Sequence, residues 1–244
     1  MSRSVPSTTP TAARLSARSL AWSVGERFVL LDLEMDLAAG ELLLLSGENG
    51  AGKTTLIDLL VGHRRPTRGR VCIDGVSLDD VDRGWLAGRI GVVGHRPGLY
   101  LELDALDNLR LFAGLVGRPL HADAAAALLD RVGLARRDQR RRVREYSRGM
   151  VQRTAIARLM AVGADIWLLD EPATGLDRDG RALLVELVLA WRDAGAAVLV
   201  ISHDDTWSPH ANRHLHLRGG RLKSPPPVAA LAGLTPVAAG RPTP

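Results

Sequence analysis

Residues 42–54 are Leu42-Leu43-Leu44-Leu45-Ser46-Gly47-Glu48-Asn49-Gly50-Ala51-Gly52-Lys53-Thr54. The opening leucines form an unbroken apolar run of strand length, which is typical of a strand covered on both faces. The residues from Gly47 onward fit the pattern G-x-x-x-x-G-K-[ST], in which glycines let backbone N–H groups surround a polyphosphate at a helix N-terminus. The segment therefore predicts a strand, a phosphate-binding loop and a helix, in that order.

Each polar group of this loop has an expected contact. The Lys53 ammonium reaches the β- and γ-phosphates of a nucleotide, and the Thr54 hydroxyl ligates Mg²⁺. We predict that the nucleotide is bound by Gly47, Glu48, Asn49, Gly50, Ala51, Gly52, Lys53, Thr54 and Thr55. The alternative is a glycine-rich turn with an incidental lysine. That alternative does not account for the strand before the loop or for the helical pattern, Thr54 to Val61, after it.

A second apolar run, Ile166–Leu169, ends in Asp170-Glu171-Pro172. Ligand sites in open α/β sheets lie at the carboxyl ends of strands, and an acidic pair at a strand end fits such a site. We expect Asp170 to serve the Mg²⁺ site and Glu171 to take a proton from the attacking water. The other interpretation is a strand that ends in a solvated acidic turn.

The rest of the chain alternates between strand and helix patterns. Residues 31–37 alternate strictly between apolar and charged side chains, as in a half-buried strand. Short apolar strands are predicted at Val71–Ile73, Ile90–Val93, Ile166–Leu169 and Val198–Ile201, and helices near residues 104–116, 122–132 and 149–162. This order is typical of an α/β chain with a largely parallel core sheet, with a helical block from about His95 to Val162 inserted between sheet strands.

The composition is that of an ordinary soluble protein. Of 244 residues, 46% are hydrophobic and 24% charged, and Cys72 is the single cysteine, which excludes disordered, collagenous and disulfide-scaffold classes. The most apolar region, residues 182–201, contains Glu186, Arg192 and Asp193 and cannot span a membrane. We predict a flexible tail over residues 1–13, one domain over 14–222 and a Pro/Ala-rich tail over 223–244.

The charge of the chain excludes few functions. A formal net charge of +5 comes from a chain whose 32 basic residues include only two lysines, Lys53 and Lys223. Such a general arginine skew is weak evidence for nucleic acid, and 4% aromatic residues provide few stacking platforms for bases. We interpret the densest basic run, residues 136–144, as a solvated face, with anionic lipid headgroups or an acidic partner as the alternative.

Together with four further segments, the phosphate-binding loop and the acidic pair make the chain resemble the ATP-binding subunits of ABC transporters. The resemblance covers nearly all of residues 14–222. A signature-like segment is Tyr146-Ser147-Arg148-Gly149-Met150-Val151-Gln152-Arg153, and the others are Thr174–Asp177, Ser202–Asp204 and Arg65–Gly69. The resemblance implies an α/β P-loop NTPase (RecA-like) fold with a mostly parallel sheet, an antiparallel β part and an inserted helical subdomain. It also implies ATP and Mg²⁺ as cofactors, no other metal, and hydrolysis that drives separate transmembrane permease subunits from the cytoplasmic face of the cell membrane.

In that family two subunits sandwich two ATP molecules, so the resemblance implies a homodimer. Ser147 and Gly149 would contact the γ-phosphate of the nucleotide held by the other subunit, since a hydroxyl and a backbone N–H at a helix N-terminus form an anion site. Asp177 would act across the dimer interface, and His203 would hold the γ-phosphate. An aromatic residue usually stacks on adenine, for which the candidates are Trp22 and, as the alternative, Phe28.

Three positions depart from the family pattern. Arg148 stands where glycine is usual, and Met150 stands where glutamine is usual. His95 occupies the place of a glutamine that contacts Mg²⁺ or the attacking water. We predict that a neutral His95 ligates the metal or accepts a hydrogen bond there, and the alternative is that it only packs the joint between the core and the helical block.

The segments His95–Leu99 and Glu102–Leu109 look most like those of the CcmA-type ATPases of haem export systems in cytochrome c maturation. In the family this region lies where the membrane partner docks. Haem export for cytochrome c biogenesis is therefore the predicted function, with a drug, lipid or ion exporter as the alternative. A soluble ABC-type ATPase acting on DNA or ribosomes is less well supported, since the sequence has neither long heptad arms nor a repeated cassette.

Overall fold

The computed structural model describes residues 13–94 and 97–223. The predicted tails lie outside these ranges, except for Ala13 and Lys223, which belong to the first and last strands. The strands are β1 (Ala13–Val24), β2 (Arg27–Ala38), β3 (Leu42–Gly47), β4 (Arg68–Ile73), β5 (Val76–Ser77), β6 (Ile90–Val93), β7 (Ile166–Asp170), β8 (Ala197–Ile201), β9 (Arg213–Arg218) and β10 (Arg221–Lys223). The helices are α1 (Lys53–Leu60), α2 (Arg83–Arg89), α3 (Ala105–Leu115), α4 (Ala122–Arg131), α5 (Arg148–Val162) and α6 (Arg178–Asp193).

A six-stranded sheet forms the centre of the fold, in the order β10-β9-β3-β8-β7-β6. All neighbouring strands in it are parallel except β10 and β9. Alternate residues of β7 enter two different apolar clusters, Trp167 and Leu169 on one face and Ile166 and Leu168 on the other. A strand covered on both faces needs apolar residues at every position, which explains its unbroken apolar run.

The parallel direction of these strands determines where a ligand site can lie. β8 lies between β3 and β7 and pairs with both. All three strands end at the same edge of the sheet, β3 at Gly47, β7 at Asp170 and β8 at Ile201. The phosphate-binding loop and the acidic pair are therefore brought to one edge although they are far apart in the chain.

A four-stranded antiparallel sheet, in the order β2-β1-β4-β5, shares an apolar cluster with α1 and one face of the parallel sheet. It contains Val71–Ile73, which the apolar pattern did not distinguish from the strands of the parallel sheet. The triplet is short, and only its antiparallel pairing with β1 defines its place. β1 itself was not predicted, because an irregularity near Ser19, whose φ is +46°, interrupts the alternation of its side chains.

The helical block consists of α3, α4 and α5 packed against each other and against the parallel sheet. The three predicted helices agree with the observed bounds to within one residue at each end. Capping explains this agreement, since Asp104 and Ser147 accept hydrogen bonds from the first turns of α3 and α5, and Gly163 ends α5 with a φ of +65°. Within residues 13–94 and 97–223, no helix is long and apolar enough to cross a membrane.

The basic run at residues 136–144 is largely paired with carboxylates of the same chain. Arg136 pairs with Asp130, and Arg141 lies 2.9 Å from Asp138. Arg142 and Arg144 both contact Glu102, at 3.4 and 3.1 Å. These pairs are exposed and contribute little to stability, but they neutralise much of the positive charge, which favours the interpretation of a solvated face.

Candidate nucleotide-binding site

The loop between β3 and α1 approaches its neighbours so closely that glycine is required. A Cβ atom on Gly47 would lie 2.5 Å from the Leu217 carbonyl oxygen, and Gly52 has a φ of +104°, which L side chains rarely adopt. The first turn of α1 has no acidic residue and no side-chain cap. The first N–H groups of a helix have no partner within the helix, and here no side chain of the loop caps them, so they are available to an anion.

Lys53 crosses the loop and is held by it. Its Nζ donates to the carbonyl oxygens of Gly47 at 2.6 Å and Glu48 at 3.0 Å. The same Nζ donates to Nε2 of His203 at 3.1 Å, because an ammonium group can only donate. Burial lowers the pKa of Lys53, while Glu171 and Asp170 act in the opposite direction. The ammonium thus lies between the loop and the acidic pair.

The acidic pair has the positions expected of a reactive site. Asp170 is the last residue of β7 and only 7% exposed. Glu171 follows it with a φ of +49°, a strained backbone for a residue other than glycine, and its N–H donates to the Ile201 carbonyl at 2.9 Å. Its Oε1 is buried without a hydrogen bond and lies 3.6 Å from Nε2 of His203. The strained turn therefore aims a carboxylate at the residue expected to hold the γ-phosphate.

The protonation of Glu171 predicts a pH dependence. Burial raises the pKa of this carboxyl, His203 and Lys53 lower it, and Asp170 and Asp204 raise it further. A base must be ionised to accept a proton, so its activity is lost as the pH falls through a raised pKa. We expect the hydrolysis rate to fall on the acid side at a higher pH than for an ordinary glutamate. Single-turnover rates measured against pH test this, and a fall only within the ordinary glutamate range would contradict it.

A cleft of about 500 Å³ opens at this edge of the sheet and brings the separately predicted residues together. Its lining residues are Val29, Asn49, Gly50, Gly52, Lys53, Thr54, Thr55, Asp170, Glu171 and His203. Ala51 belongs to the same loop, where its N–H donates to the Glu48 carbonyl at 3.1 Å. Val29 was not predicted, because no motif in the sequence connects β2 with the loop. Its contact with the loop is visible only in three dimensions, where a Cβ on Gly52 would lie 3.3 Å from Val29 Cγ1.

The signature-like segment lies at the start of α5, beside this cleft and not in its lining. Ser147 is the N-cap and accepts a hydrogen bond from Met150 N at 3.3 Å. A Cβ on Gly149 would lie 2.8 Å from the Gly175 carbonyl oxygen, so glycine is required for this close packing. Arg148 is exposed and lines a neighbouring cavity that also includes Asp170 and Glu171.

Asp177 has contacts within its own chain. Its Oδ1 caps α6 by accepting from Gly180 N at 3.0 Å, and it pairs with Arg153 Nη2 at 3.1 Å. Arg153 also donates to the Val132 carbonyl at 2.8 Å. The predicted action of Asp177 across a dimer interface stays a prediction, and these contacts fix the orientation from which it would act.

The two aromatic candidates lie on the antiparallel sheet. Trp22 is partly buried against the apolar cluster and has the Arg64 guanidinium 4.9 Å from its ring centroid. Phe28 is exposed, with Arg68 at 5.8 Å. Among the described residues that line the cleft, neither of these two is present. His95 lies outside the described ranges, so its predicted role at the metal stays a prediction.

Sequence reasoning missed a connection between the signature helix and the acidic pair. Gln152 is buried in α5, and its Nε2 donates to the Pro172 carbonyl at 2.8 Å. A buried polar residue costs free energy unless it is hydrogen-bonded, and this bond meets that requirement. The sequence signal was the Gln152-Arg153 pair of the signature-like segment, but the partner of Gln152 could not be read from the chain.

Three comparisons agree with this geometry. The sequence model of the family described as ABC transporter matches residues 30–174. The cytochrome c biogenesis ATP-binding export protein CcmA of Xanthomonas axonopodis pv. citri is 41% identical over 189 residues, which cover 78% of this chain and 86% of the relative. A bacterial ABC transporter cassette solved as a dimer has a TM-score of 0.78 and 25% identity, over 86% of this chain and 98% of that chain. A dimeric post-hydrolysis state of that cassette, bound to ADP and phosphate, has a TM-score of 0.76 and 26% identity over the same shares.

Proposed function

This chain belongs to the ABC transporter family as an ATP-hydrolysing subunit, and from that premise we propose that it drives haem export for cytochrome c biogenesis through separate transmembrane subunits. The proposed cargo, haem, rests on the 41% identity to an export protein of that process, over 86% of the length of that protein. The cleft lined by Lys53, Glu171 and His203 is the proposed site of ATP hydrolysis. We assign it to an ATP-binding domain of residues 14–222, with residues 95–162 as the helical subdomain.

The polar groups of the cleft have the chemistry that Mg²⁺ and a nucleotide need. Thr54 and Asp170 line the same cleft and offer a hydroxyl and a carboxylate oxygen, the hard ligands that Mg²⁺ prefers. When bound, Mg²⁺ supplies positive charge to the β- and γ-phosphates. Lys53 then exchanges its contacts with Gly47, Glu48 and His203 for phosphate oxygens. This exchange releases His203 Nε2 from its role as acceptor, and a change of tautomer or protonation then lets the same nitrogen donate to a γ-phosphate oxygen.

Glu171 performs the proton step in this mechanism. Its buried Oε1 has no hydrogen bond to give up, and it accepts a proton from the water that attacks the γ-phosphate. The nearby Nε2 of His203 orients the phosphate. The raised pKa of Glu171 brings its proton affinity nearer to neutral pH, where a general base works best.

We also propose that two copies act together. Ser147 and Gly149 lie at the start of α5, outside the lining of the Lys53 cleft, so a nucleotide in that cleft needs a second copy to meet them. The cassette solved as a dimer supports this arrangement. Gly149 packs on Gly175, which couples the signature segment to Asp177 two residues later.

The helical block offers the surface on which we place the transmembrane partner, at the cytoplasmic face of the cell membrane. Tyr100 and Leu101 are more than half exposed, and Leu115 is 65% exposed on α3, with Leu111 one turn before it. Large apolar residues grouped on one surface are typical of a protein contact. Val24 is as exposed, at 61%, but lies on the antiparallel sheet and serves as a matched control.

The experiment is complementation in a strain from which the chain has been deleted. We expect deletion to abolish c-type cytochromes while b-type cytochromes remain, and wild-type protein and Val24→Glu to restore them. Leu115→Glu should not restore them, and its affinity purification from membranes should lose a multi-span protein that Val24→Glu retains. Normal c-type cytochromes after deletion would exclude the proposed cargo and favour a drug, lipid or ion exporter. Recovery of ribosomes or DNA without a membrane protein would contradict a transport role.

A further inference from the structure

Arg158 connects three segments of the chain from its place on α5. Its Nη2 donates to the Val92 carbonyl of β6 at 2.8 Å. Its Cζ lies 4.8 Å from the ring centroid of Phe112 on α3. A Cβ on Gly98 would lie between 3.6 and 3.7 Å from three atoms of the guanidinium group. One side chain thus contacts the end of a core strand, the segment that follows residues 95–96, and a helix of the helical block.

Within residues 13–94 and 97–223, no carboxylate balances the charge of Arg158. No salt bridge to it is found among the described residues, and its Nε is buried without a hydrogen-bond partner. Burial alone lowers the pKa of Arg158 to about 10, so the group is still cationic at neutral pH. Arg158 is partly buried, and a partly buried cation that no described carboxylate pairs with costs stability, which an apolar side chain of similar size would avoid. Its contacts with Val92 and Phe112 offset part of that cost, so the use of a cation here points to a role beyond packing.

A second arginine of the same block shows what a structural role looks like. Arg118 donates from Nη1 to the carbonyls of Val162 and Gly163, at 2.8 and 2.6 Å, and so satisfies the C-terminal end of α5. It makes backbone hydrogen bonds as Arg158 does. None of its hydrogen-bond partners is in β6 or in the segment after it, which makes it a matched control.

The strand end that Arg158 contacts lies against Asp170. Val92 is followed by Val93 and Gly94, and a Cβ on Gly94 would lie 3.6 Å from the Cβ of Asp170. On the other side, Phe112 contacts the ring of Tyr100, with centroids 5.9 Å apart, and Tyr100 is exposed on the proposed docking surface. Arg158 is the link between these two contacts.

We propose that Arg158 is a positioning residue for hydrolysis. It keeps the end of β6 in contact with Asp170, and because it also packs on Phe112, the position of that strand end depends on the position of α3. The guanidinium group is suited to this because its planar face packs on Phe112 while its edge donates to Val92. A shift of α3 moves the ring, the cation follows the ring, and the Val92 carbonyl follows the cation. The inference rests on the proposed function of the Asp170–Glu171 pair.

The test compares Arg158→Met with Arg118→Met in the purified full-length protein, using MgATP. We expect Arg158→Met to lower kcat about 10-fold, since small misplacements at a reacting centre have effects of this size or larger. ATP affinity should stay within about twofold, because Lys53 and its loop are untouched. Hydrogen exchange at residues 90–94 should become faster. Arg118→Met should leave kcat and this exchange unchanged. Equal loss of kcat in both variants, or an unchanged kcat in Arg158→Met, would overturn the proposal.

Two further variants keep the test decisive if Arg158→Met folds poorly. Arg158→Lys keeps the charge and one donor, and it should recover part of kcat. Phe112→Leu keeps apolar volume but removes the ring, and its effect should be non-additive with that of Arg158→Lys in a double-mutant cycle. Additive effects would exclude the link to α3. Glu171→Gln serves as the reference. If this variant loses turnover while the Arg158 variants keep it, only the inference about Arg158 is rejected. If the wild-type protein itself shows no turnover, the proposed function is rejected.

Discussion

Replacement of Glu171 by glutamine should stop ATP turnover while leaving ATP binding intact. Glutamine has nearly the same volume as glutamate but cannot accept the proton of the attacking water. Loss of a general base costs about 100-fold or more in rate. The phosphate-binding loop, Lys53 and His203 are not altered by the change. We therefore expect a protein that binds ATP and, without hydrolysis to separate the subunits, accumulates as an ATP-dependent dimer.

Steady-state phosphate release and size-exclusion chromatography with and without MgATP measure the two effects of Glu171→Gln. The matched control is Glu186→Gln, an exposed glutamate on α6, remote from the lining of the cleft. The control should hydrolyse ATP at the wild-type rate and show no stable dimer. Turnover near the wild-type rate in Glu171→Gln would remove this residue from the role of base.

Replacement of Lys53 by methionine should prevent ATP binding at concentrations near the wild-type Kd. Methionine keeps the length of the aliphatic stem but removes the only charge that bridges Gly47, Glu48 and His203. A charge-assisted contact to two phosphates is expected to contribute about 2.7 kcal/mol, which corresponds to about 100-fold in Kd. The removal of the ammonium also leaves the carboxylates of Asp170 and Glu171 to repel the γ-phosphate.

Isothermal titration with MgATP measures the change in Kd for Lys53→Met. The control is Lys223→Met, which replaces the one other lysine of the sequence. Lys223 is exposed on β10, away from the cleft, so its replacement should not change Kd. An unchanged Kd in Lys53→Met would show that the nucleotide binds elsewhere. An equal increase of Kd in both variants would show that the loss of one positive charge anywhere on the protein weakens ATP binding, and that Lys53 has no specific contact.

The elements predicted most accurately are those whose signals are local. The loop of residues 47–54 was predicted because glycine, lysine and threonine at fixed spacing have few other uses. Five residues of this loop line the cleft: Asn49, Gly50, Gly52, Lys53 and Thr54. The bounds of α3 and α5 were predicted because Asp104, Ser147 and Gly163 cap the helices through contacts a few residues away. The unbroken apolar run of β7 indicated a strand buried on both faces.

The elements that were missed depend on distant parts of the chain. β1 loses its alternation at Ser19, and β9 alternates only over the short stretch His214 to Leu217. Both are defined as strands by their pairing, β1 with β2 and β4 and β9 with β3 and β10. Val29 and Gln152 approach the cleft or the acidic pair through contacts that no spacing indicates. For Trp22, the sequence supplied an aromatic residue, but the register of β1 places it beside Arg64 and outside the lining of the cleft.

By itself, the sequence determined which groups can do chemistry here: a phosphate-binding loop with its lysine, an acidic pair at a strand end, and a histidine after another strand. These follow from local patterns, because loop geometry and strand burial depend on neighbouring residues. Only the tertiary structure decided how the groups meet, with Lys53 donating to His203, Glu171 strained toward the same imidazole, and Arg158 donating to the Val92 carbonyl of β6. The reason is physical. Parallel strands β3, β7 and β8 end at one edge, and their pairing is fixed by burial and backbone hydrogen bonds over the whole sheet.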